Sequence, residues 1–102
     1  MTEYDKLVRD RIPEIVREND ETPVTHVAEG EAYRERLREK LCEEAEEFCE
    51  SGDPAELADV MEVLAAIREA EDLDAAEIER LREEKADERG GFADGVVLER
   101  IE

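Results

Sequence analysis

Apolar residues recur at helical spacing through most of the chain. Leu37, Leu41, Ala45 and Phe48 follow one another at intervals of four, four and three, which lays them along one stripe of a helix. The stripe predicts a helix over about Glu31 to Glu50. Ser51 and Gly52 close it, with glycine suited to the left-handed terminal position. Asp53 then caps a following helix, and Pro54 takes its first position. Leu57, Val60, Met61, Leu64 and Ile67 give that helix a wide apolar face, so it is expected to be the most buried element and to end near Glu71.

The flanks are less periodic. Residues 2–9 read as a short lead-in. Asp10 is placed to cap a first helix, with Pro13 tolerated in its first turn and Ile12, Ile15 and Val16 as a short apolar stripe. Residues 18–23, Glu-Asn-Asp-Glu-Thr-Pro, end it. Residues 23–27 alternate weakly and predict an extended connector, with His26 a surface residue. Asp74 and Glu77 have capping-box spacing and open a fourth helix through about Asp87, with Ile78 and Leu81 turned inward. Gly90 and Gly91 stop it, and Val96 to Leu98 suit a short strand or a packing segment. The pattern is a single all-α domain, a small antiparallel four-helix bundle-like fold joined by short breaks.

Length and charge narrow the function. A chain of 102 residues supports one modest core, and oligomerisation would help it. The wide apolar face of the third helix is under-covered in so small a bundle, which predicts a homodimer or higher homo-oligomer. No apolar run approaches the length of a membrane span, and the charged N-terminus points to the cytoplasm. The net charge of −19 argues against nucleic acid and anionic membranes as partners. Many acids, 3 Lys against 11 Arg, and few aromatics resemble the composition of halophilic proteins, whose self-repulsion is screened by salt. Cys42 and Cys49 lie seven apart on one helix with no second pair to complete a zinc site, and are expected as small buried residues.

The chemistry concentrates at the break between the second and third helices. With Glu43 set at 0°, Glu47 falls near about 40°, Lys40 near about 60° and Glu44 near about 100° around the helix, while Leu41, Ala45 and Phe48 fall at about 140–200°. An acidic sector therefore borders the apolar stripe. Glu56 and Asp59 are three apart and share a face of the next helix. A break of a few residues makes the two helices antiparallel neighbours, so two pairs of carboxylates converge at one end of a hairpin. Hard oxygen donors on rigid helices suit magnesium, which keeps waters and substrate phosphates in its shell. Acids are common here, and Glu46, Glu47 and Glu50 repeat the spacing of Glu43, Glu44 and Glu47. Asp53 and Glu56 also have capping-box spacing. Glu35, Glu39, Glu46, Glu83 and Glu84 read as a solvated face.

"EEAEE" (Glu43 to Glu47) and "ELAD" (Glu56 to Asp59) resemble the E-E-x-x-E and E-x-x-D motif of the all-α NTP pyrophosphatase superfamily, the MazG-like and phosphoribosyl-ATP pyrophosphohydrolase-like proteins. "YDKLVRDRIPEIV" (Tyr4 to Val16) and "EKADERGGFADGVVL" (Glu84 to Leu98) are similar to the opening and closing segments of a small MazG-like subgroup. The resemblance implies a magnesium-dependent hydrolase, with manganese as substitute, that converts a nucleoside triphosphate to the monophosphate and pyrophosphate. It implies Glu44, Glu47, Glu56 and Asp59 as metal ligands, with Glu43 an additional or outer ligand. Glu44 or Glu47 would take the proton of the attacking water. Lys6, Arg9, Arg11, Lys40, Lys85 and Arg89 are candidates to meet the substrate's phosphates. Eight residues separate Glu47 from Glu56, fewer than in many members, so the hairpin must be tight. Two enzyme readings follow: removal of aberrant or surplus triphosphates, and hydrolysis of phosphoribosyl-ATP. The non-enzyme reading is a nucleotide- or metal-binding or interaction module.

Overall fold

The computed structural model describes residues 3–102; Thr2, at the start of the expected lead-in, lies outside them. The described residues form four helices and no strand: α1 (Ile12–Glu18), α2 (Gly30–Ser51), α3 (Pro54–Ala70) and α4 (Ala75–Arg89). The all-α class expected from the sequence is what the chain adopts. No helix among the described residues is long and apolar enough to cross a membrane. The chain divides into two compact units, one ending at Asp72 and one from Leu73 to Glu102.

In the first unit α2 and α3 pack together as a hairpin. The break works as the local chemistry dictates. Gly52 takes φ 66° and its amide donates to the Phe48 carbonyl at 2.7 Å. A side chain at that φ would be strained, which is why glycine ends the helix. Asp53 accepts the Ala55 amide at 2.9 Å on its Oδ1, and its own amide donates to Ser51 Oγ at 3.0 Å. Two residues thus reverse the chain, and the Arg38–Glu71 ion pair at 2.6 Å ties α2 to the residue just after α3.

The face of α3 differs from the expected one. Val63 is its buried residue, and Glu56, Asp59, Val60, Ala66, Ile67 and Ala70 around it are partly buried. Leu57, Met61 and Leu64 are exposed, Met61 by 64%. The packed face is rotated by about 100° from the bulky apolar stripe. Periodicity locates the bulkiest stripe of a helix, but a two-residue break fixes which side of α3 meets α2. The buried residues of the hairpin are Val63 from α3 and Leu37 and Glu44 from α2.

Other expectations are corrected. Asp10 does not cap α1. Arg11 precedes the helix without a side-chain cap. The Ile12 amide donates to the Arg9 carbonyl at 3.0 Å, and Pro13 has no N–H, so little remains for Asp10 to satisfy. Cys42 and Cys49 are exposed free thiols, because their positions fall about 80–100° around α2 from the Leu41 stripe. His26 is exposed in the irregular connector, as expected.

The second unit is α4 and an irregular tail. Asp74 caps α4 by accepting the Ala76 amide at 2.9 Å. Ile78 and Leu81, expected inward, are exposed, and α4 buries no residue. Val96 to Leu98 form no strand.

Candidate metal centre

Glu44 lies about 60° from Leu41 around α2, on the edge of the apolar stripe that packs against α3. It keeps 8% of its surface exposed. Lys40, one turn earlier and half-buried, sets its Nζ 3.1 Å from Oε1. The other oxygen, Oε2, is buried with no hydrogen-bond partner, the one such side-chain atom among the described residues. A buried carboxylate oxygen without a donor costs folding free energy, so this atom calls for an explanation beyond packing.

The rotation of α3 supplies one. It turns Glu56, in the first turn, and Asp59, one turn later, toward α2. One oxygen from each of Glu44, Glu56 and Asp59 lies within 4.8 Å of the others. Opposite ligands of an octahedral magnesium stand about 4.2 Å apart, twice the metal–oxygen distance. Adjacent ligands stand only about 3 Å apart, so three carboxylate oxygens gathered within 4.8 Å reach one hard divalent ion, with waters completing its shell, once their side chains draw together. The donor set is all oxygen, which suits magnesium or manganese rather than zinc. Three of the four ligands implied by the resemblance are therefore together.

The fourth, Glu47, sits at the exposed rim. The adjacent Glu44 carboxylate, through a hydrogen bond that requires a proton and through repulsion, pushes the pKa of Glu47 up; Glu56 and Glu43 add to the effect. Glu56 is also raised, by desolvation first and then by the charge of Asp59. Glu43 is held low by its hydrogen bond from Lys6, with Lys40 adding to the effect. Burial pulls the Lys40 ammonium down, but its bonds to Glu44 and Glu43 outweigh this and raise it. The site gathers like charges whose own positions disfavour full ionisation, which is the condition a divalent cation relieves.

Cations from distant sequence reach the same carboxylates. Lys6 Nζ donates to Glu43 Oε1 at 2.8 Å, and Arg9 Nη2 donates to Asp59 Oδ1 at 2.8 Å. Arg11, just before α1, instead pairs with Glu14 in that helix at 3.2 Å. Lys85 and Arg89 lie on α4, in the other unit. Glu46 and Glu50, which repeat the motif spacing, are exposed and outside the triad. Arg36 escaped the sequence reading: it donates to the Asp5 carbonyl at 2.9 Å and to Asp5 Oδ1 at 3.1 Å. No local pattern signals a contact between residues 31 apart.

No family model, no curated protein and no solved structure matches this chain.

Proposed function

We propose that the α2–α3 seam holds magnesium and that the chain is a nucleoside triphosphate pyrophosphohydrolase, releasing a monophosphate and pyrophosphate from aberrant or surplus triphosphates. The observation that carries this reading is the orientation of α3. It puts Glu56 and Asp59 in the seam, facing a buried Glu44 with an unpartnered oxygen.

When bound, magnesium neutralises a polyphosphate and acidifies a water. The chain's own residues do the rest. Glu44, Glu56 and Asp59 hold the ion, and Lys40 keeps Glu44 in place. Glu47, exposed and with a raised pKa, takes the proton of the attacking water at its carboxylate. Lys6, Arg9 and Lys40 meet the charge that develops on the departing pyrophosphate. Assembly into a homo-oligomer belongs to the same proposal, with Leu57, Met61 and Leu64 as the face that a second copy covers.

The test is pyrophosphate release from a panel of standard, deoxy and damaged triphosphates and phosphoribosyl-ATP, with and without magnesium, in molar KCl. Magnesium-dependent release is expected, and Asp59→Ala should lower it by at least about a hundredfold with helical circular dichroism retained. Preference for phosphoribosyl-ATP would move the assignment to that substrate. Magnesium uptake with no release from any member would leave a metal-binding module.

A further inference from the structure

The segment from Tyr4 to Arg9 has no regular secondary structure, yet it is tied down at three points. Arg36 on α2 grips Asp5 through both its carbonyl and its carboxylate. Lys6 reaches Glu43 on α2, and Arg9 reaches Asp59 on α3. The segment thus crosses the acidic end of the seam from one helix to the other. Its two cations sit on carboxylates of the site, one of them a member of the triad.

We propose that this segment is a self-counterion latch. With no ion bound, Arg9 and Lys6 neutralise the carboxylates; a divalent cation displaces Arg9 from Asp59 and frees it for the phosphates of the substrate. This rests on the metal reading of the seam. A guanidinium 2.8 Å from Asp59 Oδ1 and a doubly charged ion on the same carboxylate repel each other at contact range, so the two compete. The competition is mild by design of the surface: Arg9 is more than half exposed, and exposed pairs are weak enough to exchange. Lys40 is not part of the latch. It is half-buried on α2 and bound to Glu44 as well as Glu43, so it stays. Arg36 touches none of the triad and holds the segment's start in place while its far end opens.

The experiment pairs calorimetry with side-chain NMR on the full chain, using magnesium alone at a fixed KCl concentration that keeps the protein folded. Arg9→Gln is expected to bind magnesium about threefold more tightly, the size of a lost exposed ion pair. Arg34→Gln removes the same charge from a pair with Glu31. It lies ten residues from Glu44 along α2, about 15 Å, and leaves the affinity unchanged. In the wild-type chain the Arg9 Nε–Hε resonance should move toward that of free arginine on saturation, and the Arg36 resonance should hold. Magnesium binding with an unmoved Arg9 resonance overturns the latch and leaves the metal site standing. Equal affinities of wild type and Arg9→Gln do the same. No magnesium binding by the wild-type chain overturns the metal reading and the latch together.

Discussion

Glu44 carries the tension of the site in one side chain. It is buried, one oxygen is held by Lys40, and the other has no donor. Glu44→Gln removes one of several crowded negative charges, so stability without divalent ions should hold or rise by about 1 kcal/mol, while magnesium binding is lost. Thermal denaturation and calorimetry on the same variant decide this. The neighbouring carboxylates make stability depend on pH. Glu47 and Glu56 hold protons more tightly in the folded chain than unfolded. The folded state therefore binds more protons in the window just above the ordinary carboxylate range, and stability falls as pH rises through it. Glu43 runs the other way: its carboxyl is held low, chiefly by Lys6, so its contribution is lost as pH falls through that lowered value. Without divalent ions the chain should be most stable in mildly acidic buffer. Saturating magnesium at constant ionic strength should flatten the loss on the alkaline side in a series of melting curves. The candidates Glu43, Glu44 and Lys40 were legible because they share one helix sector. The burial of Glu44 was not, since it depends on what packs against that sector.

At the scale of elements, the hairpin break is the part that aims the site. Gly52 is left-handed, and a Cβ there meets open space, so Gly52→Ala is penalised by backbone strain and not by a clash. The expected loss is about 1–2 kcal/mol, and magnesium affinity should fall with it, because the break sets Glu44 against Glu56 and Asp59. Asp74→Ala is the contrast. It removes the cap of α4, worth about 1 kcal/mol, from the other unit, and should leave magnesium affinity unchanged in the same titration. The caps at Asp53 and Asp74 were readable because each accepts an amide only two residues ahead. The failure at Asp10 has the same origin: a backbone turn and a proline had already dealt with the amides there. The orientation of α3 was not readable, because hydrophobic periodicity ranks faces by bulk while the connection chooses among them.

Across the whole molecule, charge and exposed apolar surface pull in different directions. A net charge of −19 disfavours compactness at low ionic strength, and the melting temperature should rise as KCl is raised toward molar concentrations. The outward Leu57, Met61 and Leu64 favour association under the same conditions. Light scattering in high KCl should give a dimer or larger species, and Met61→Lys should return it to the monomer with α-helical content intact. Taken alone, the sequence determined the helices, their breaks, two of their caps and the sector of acids on α2. Each of these depends on residues within a few positions of one another, where backbone hydrogen bonding and side-chain spacing are local. Only the tertiary structure decided that Glu56 and Asp59 enter the seam, that Glu44 is buried with an oxygen to spare, and that Lys6 and Arg9 close over the site from 37 and 50 residues away. Those features depend on how one helix is rotated against another and where an irregular segment is anchored, and no local spacing carries that information.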